Sequence, residues 1–272
     1  MAKTTSFQPV KAYHSRKFLE SPEARPIRLL AEYLEPLERF EEERIRDTIL
    51  VFGSARVLPR DDATDRLAAA KRKGDGVERA ERDLAMSRYY EETRELCFRL
   101  TEWSKGLKDP GRRFVICSGG GPGIMEAANR GASEARGENV GLGIELPHEQ
   151  STNSYITRKL NFDFHYFFMR KFWFLYLAKA AIFMPGGFGT MDEIFECLTL
   201  VQTRKMTKPL PIVLYGTDFW DAVLNLDALV RFGTIDEEDL KRFRRADTVD
   251  EAFDYITREL TAVALKKPGF SL

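Results

Sequence analysis

Short aliphatic or β-branched runs alternate with longer amphipathic stretches along most of this chain, and the runs break at glycine, proline or small polar clusters. Residues 48–52, 113–117, 140–146, 181–184 and 210–215 read as strands apolar enough to be buried on both faces. Between them, residues 83–104, 124–135 and 218–232 carry apolar side chains at helical spacing, and residues 249–265 form a terminal helix that opens on acidic residues. Strands that alternate with helices in this way predict an α/β fold, a Rossmann-like doubly wound parallel sheet.

Three stretches modify that picture. Ile27, Leu30, Leu34, Leu37 and Ile45 recur at near-helical spacing ahead of the first strand, which predicts a helical N-terminal extension over residues 1–47 and a Rossmann-like domain over 48–272. Residues 60–82 mix nearly balanced charges around Gly74 and Gly76, the pattern of a solvated helical hairpin or a plain flexible loop. Residues 165–180 are apolar on nearly every face except at Arg170, Lys171 and Lys179, so this helix is expected to be buried by the sheet on one side and by a partner on the other.

Composition narrows the function classes. The 272 residues hold 42 Lys plus Arg against 42 Asp plus Glu, so no global field draws the chain to nucleic acid or to an anionic membrane. The first residues lack the apolar core of a signal peptide and no run has the length of a membrane span, so a cytoplasmic protein is expected. Cys97, Cys117 and Cys197 are odd in number and widely spaced, which predicts reduced thiols, no disulfide and no metal site.

The chemistry concentrates where strands meet glycines. After the run 181–184 come Pro185, Gly186, Gly187 and Gly189, and Thr190 with Glu193 spells the T-x-x-E of a capping box. A strand that feeds a helix through glycines directs free N–H groups and the positive end of the helix dipole at the loop, where a phosphate is the usual occupant. A tight turn with an ordinary helix cap would carry the same pattern. Gly53 and Ser54 follow the first strand, and Gly119 to Gly123 follow the second with a spacing that fails both the G-x-G-x-x-G and the G-K-[ST] signatures. Arg170 sits in so apolar a segment that it requires an anion, either a ligand or a protein carboxylate.

The string P-G-G-x-G-T-x-x-E, with Arg170–Lys171 upstream and the G-G-G-P-G run, resembles the LOG family over about residues 48–220. These are nucleoside 5′-monophosphate phosphoribohydrolases that activate cytokinins, formerly mislabelled as lysine decarboxylases. The resemblance implies hydrolysis of the N-glycosidic bond of AMP or of an N6-modified cytokinin ribotide, with Arg170 and Glu193 as the catalytic pair. It also implies substrate contacts from Gly53, Ser54, Gly120, Gly121, Glu149, Lys171, Gly186, Gly187, Gly189 and Thr190, no cofactor, and assembly into a homodimer or a larger ring through the 166–177 helix. Glu193 suits the stabilisation of an oxocarbenium-like ribose, and a place in the first helical turn would favour its charged form. A nucleotide sensor with negligible turnover is the alternative. A decarboxylase would need a pyridoxal phosphate lysine, and no lysine here lies in a recognisable cofactor signature.

Overall fold

The computed structural model describes residues 9–107, 113–144 and 152–266. Its helices are α1 (Arg16–Leu19), α2 (Arg25–Glu42), α3 (Arg60–Lys73), α4 (Val77–Lys105), α5 (Ile124–Glu134), α6 (Phe167–Leu177), α7 (Phe188–Gln202), α8 (Thr217–Val223), α9 (Leu226–Arg231) and α10 (Val249–Ala262). The strands are β1 (Thr48–Phe52), β2 (Val115–Ser118), β3 (Asn139–Ile144), β4 (Asn161–Phe164), β5 (Ala178–Phe183), β6 (Ile212–Tyr215) and β7 (Arg244–Ala246). All pair in parallel in the order β4-β3-β2-β1-β5-β6-β7. The chain winds outward from β1 to β4, then returns to the other side of β1 at β5. The crevice at that reversal, at the carboxyl ends of the strands, is where open α/β sheets bind ligands.

Alternation along the central strand builds two cores, one on each face. Ile49 and Val51 face α4, α5 and α10, packing with Tyr90, Leu96, Ile124 and Ile256. Leu50 and Phe52 face α6 and α7, packing with Phe174, Ile194 and Cys197. The hairpin expected at 60–82 is formed by α3 and the start of α4, with Gly74 and Gly76 at φ 70° and 71°, a region that costs a side chain strain.

Two short strands escape the sequence pattern. β4 alternates, with Phe162 and Phe164 buried and Asp163 exposed, and β7 has only three residues, two of them arginines. Both are sheet edges, where a strand needs no continuous apolar run. The aromatic helix also ends earlier than its apolar character suggests. α6 stops at Leu177 and β5 begins at Ala178 without a loop, its last carbonyls, Leu175 O and Tyr176 O, accepting 2.7 and 2.9 Å hydrogen bonds from Lys208 Nζ. The 218–232 stretch is two helices rather than one, broken where Asn225 caps α9 by accepting from Ala228 N at 3.0 Å.

The partner that covers much of α6 belongs to the same chain. α2 packs Tyr33 and Phe40 against Trp173, with ring centroids 5.8 and 5.4 Å apart, and Trp173 Nε1 donates to Glu32 O at 2.9 Å. Only the start of α6 remains open, with Phe167 and Phe168 half exposed.

Candidate functional site

Three loops meet over the carboxyl end of β1. Ser54 N donates to Pro185 O at 3.0 Å, and Ile124 N donates to Ser54 O at 3.1 Å, so the segment after β1 is stitched on one side to the β5–α7 loop and on the other to the start of α5. The glycines make this closeness possible. A Cβ at Gly53 would lie 2.6 to 2.8 Å from three carbons of Ile124, nearer than packed atoms allow.

Together the loops enclose a cavity of about 1010 Å³. Of the residues singled out from the sequence, Gly53, Ser54, Gly120, Gly121, Arg170, Gly187, Gly189, Thr190 and Glu193 all line it. Gly186 does not, and its part is steric, because it leaves room for the Thr190 side chain behind the loop. Lys171 is a correction. Its ammonium turns away from the cavity to Asp192 at 2.7 Å and Glu196 at 2.9 Å, the residue just before Glu193 on α7 and the one about a turn after it. Burial works against its charge, but those two carboxylates outweigh it and hold its pKa above the ordinary lysine value. Glu149 and His148 lie outside the described residues.

The capping box is a second correction. α7 begins at Phe188 with Gly187 as its N-cap, and no side chain caps it. Thr190 is therefore already inside the first turn and Glu193 lies a turn deeper than T-x-x-E implies. The physical reason is the pair of small residues around Phe188: the backbone at Gly187 and Gly189 meets nothing within 4 Å of where a Cβ would stand, so the helix extends into the open mouth of the cavity. Glu193 consequently is not a dipole-stabilised terminal carboxylate. It is 4% exposed, its Oε2 is buried and accepts no hydrogen bond, and burial raises its pKa to about 7 against the opposing pull of Lys171 and Arg170. Arg170 comes from the first turn of α6 and places its guanidinium 4.9 Å from the centre of the Phe167 ring and 5.6 Å from that of Phe174.

The cavity's far wall was not legible from the pattern. Thr152, Asn161, Phe162 and Asp163 close it at the β3–β4 edge, and Met125 and Phe174 form an apolar floor. Reading residues 161–164 as a strand would have placed Asn161, Phe162 and Asp163 there. None of the three cysteines joins the site. All are free and buried, and burial pushes each thiol well above its usual range, which leaves them inert. Among the described residues no cluster of three His, Cys, Asp or Glu is placed to hold a metal, and no helix is long and apolar enough to cross a membrane.

With this geometry in view, comparisons with known proteins are informative. Residues 125–256 match the family described as "Possible lysine decarboxylase", and this match, with the P-G-G-x-G-T-x-x-E string, supports a LOG-family protein. No curated protein matches the chain. Several solved structures are similar to it, three of which follow. One, the structural-genomics target TM1055, is 21% identical with a TM-score of 0.47, over 78% of this chain and 99% of its own. The Moco carrier protein from Chlamydomonas reinhardtii is 16% identical with a TM-score of 0.46, over 80% and 99%. The molybdenum cofactor binding protein from the phototrophic bacterium Rippkaea orientalis is 15% identical with a TM-score of 0.45, over 79% and 98%.

Proposed function

We propose that this protein hydrolyses the N-glycosidic bond of a nucleoside 5′-monophosphate, with AMP or an N6-modified adenine ribotide as substrate, to release the free base and ribose 5-phosphate. The observation that carries the reading is the convergence, in one cavity, of an uncapped helix N-terminus, the Arg170 guanidinium and the buried carboxyl of Glu193. The N–H groups at Gly187 to Thr190 and the dipole of α7 take the phosphate. Arg170 adds the neutralising charge. Heterolysis places positive charge on the ribose, and an ionised Glu193 stabilises that centre and orients the water that attacks C1′. The C1′–N bond breaks, the C1′–O bond forms, and the proton lost by the water ends on the leaving base.

A carboxyl with a pKa near 7 is ionised in only part of the free protein at neutral pH, and the growing charge of the transition state is what draws it fully into the anionic form. Incubation with AMP and with adenosine, with base release followed by chromatography, tests the reading. Adenine is expected from AMP alone, because the glycine loops act on the phosphate, and comparable rates on the two would refute the phosphate assignment.

The size of the cavity favours a second reading, a protein that binds or senses a phosphorylated ligand without turning it over. About 1010 Å³ is at the upper end of small-molecule pockets. AMP bound but intact after prolonged incubation would establish it.

A further inference from the structure

The second glycine loop is held by a residue that stands behind the cavity wall. Asn153 Nδ2 lies 3.1 Å from Gly120 O, 3.1 Å from Gly121 O and 3.0 Å from Asn129 Oδ1, while its backbone N donates to Gly120 O at 2.7 Å. Its own Oδ1 accepts from Tyr155 N at 3.2 Å, which leaves no ambiguity about which end of the amide faces the glycines. Asn129, fully buried, anchors the arrangement. Its Oδ1 also accepts from Ser118 Oγ at 2.7 Å, and its Nδ2 donates to Asn139 Oδ1 at 2.9 Å and Val140 O at 3.1 Å. Ser118 Oγ in turn accepts from Gly120 N at 3.1 Å. The end of β2, the start of β3, the middle of α5 and the segment after residue 152 are thus closed into one satisfied polar network, the kind that fixes a single arrangement.

The consequence for the loop follows from peptide planarity. Gly120 C=O and Gly121 N–H belong to one trans peptide and point in opposite directions. With the carbonyl drawn to Asn153, the N–H is turned away from it. Gly120 and Gly121 line the cavity and Asn153 does not, so the turned side is the cavity side. Gly120 holds φ at 73°, which a side chain would resist, and its own N–H is already spent on Ser118. The Gly121 N–H bonds to no group among the described residues. We infer that Asn153 is a positioning residue of the site, and that it aims the Gly121 N–H at an oxygen of the ligand's ribose phosphate part, two sheet positions across from the donors of α7.

This rests on the nucleotide reading of the cavity, so the test measures binding apart from turnover. Asn153→Asp keeps the acceptor for Tyr155 N but can no longer donate to the two carbonyls, and Asn153→Ala removes the side chain should the aspartate hinder folding. Calorimetry with ribose 5-phosphate, AMP and adenine is compared with the parent, alongside melting curves and steady-state kinetics. Both variants are expected to weaken ribose 5-phosphate and AMP ten- to a hundredfold, the loss typical of a hydrogen bond to a charged group. Adenine binding should be unmoved, and the loss should enter KM and not kcat. A folded variant with parental affinity for ribose 5-phosphate would overturn the role of Asn153 alone. A parent protein that binds neither AMP nor ribose 5-phosphate would overturn it together with the nucleotide reading, and a parent that binds AMP without cleaving it would sink only the hydrolase.

Discussion

Gly186 and Thr190 occupy the same small space: a Cβ at position 186 would stand 2.6 Å from Thr190 Cβ and nearer still to its Oγ1. The first turn of α7 can close only because that Cβ is missing. Gly186→Ala must push Thr190 out of its rotamer or reopen the turn, and either displaces the donors proposed to hold the phosphate. KM for AMP is expected to rise at least about tenfold, judging by the worth of a single charge-assisted hydrogen bond. Gly187→Ala is the contrasting case, since its Cβ would meet nothing within 4 Å. It should fold as the parent does, and equal effects from the two substitutions in titration calorimetry would refute the steric role of Gly186.

Glu193→Gln separates charge from packing. Turnover is expected to fall by about a hundredfold or more, the cost of removing one electrostatic stabiliser. Stability should move the other way above neutrality. The folded pKa, about 7, is raised over the ordinary glutamate value, so the protonated carboxyl's contribution is complete below the unfolded pKa and is lost as pH rises through 7. Above that point the parent carries a buried anion that costs up to roughly 3 kcal/mol, which the amide does not. The melting temperature of the variant relative to the parent should therefore climb between about pH 5 and pH 8. A flat difference over that window would contradict the burial-raised carboxyl.

Lys171 is expected to act through its neighbours. Its bonds to Asp192 and Glu196 place a cation beside two carboxylates on the face of α7 that carries Glu193, and it lowers the pKa of Glu193. Lys171→Met should move the acidic limb of the kcat/KM profile to higher pH, with substrate affinity on the alkaline plateau little changed. A large rise in KM at that plateau, with the limb unmoved, would restore Lys171 as a direct substrate ligand.

Phe167 and Phe168 on α6 are 50% and 58% exposed, and α2 exposes Ile27, Leu30 and Leu34 at helical spacing. Clustered apolar exposure of this kind marks association surfaces in soluble proteins. Self-association through it is expected, and Phe167→Ser with Phe168→Ser should shift the light-scattering mass downward. A parent protein that is monomeric at micromolar concentration would rule this out.

What the sequence made legible follows from how locally each feature is encoded. The central strands and the glycine loops are stated by short contiguous patterns, and five of the seven strands and nine of the proposed site residues lie where those patterns put them. The T-x-x-E signature misled because it specifies a spacing and not a starting point: with Gly187 and Gly189 unobstructed, the helix begins two residues before Thr190. The direction of Lys171 was equally hidden, since an Arg-Lys pair puts adjacent side chains about 100° apart on a helix and only one of them can face the cavity. Asn153 had no signal at all. Its role depends on Gly120 and Asn129, which only the folded sheet brings within its reach.

The register of β1 carries a consequence for how this protein is made. Thr48 pairs with Val115 on one side and with Ala178 on the other. Parallel neighbours of this kind require long crossovers, and their pairing waits on closure of those large loops. During synthesis the strand that lies at the middle of the finished sheet stays an open edge until β5 has left the ribosome, with Leu50 and Val51 still seeking a neighbour. The three loops that flank it can meet only afterwards. The cavity is therefore among the last parts of the molecule to come into existence, and chains truncated ahead of residue 178 should be aggregation-prone as well as lack it.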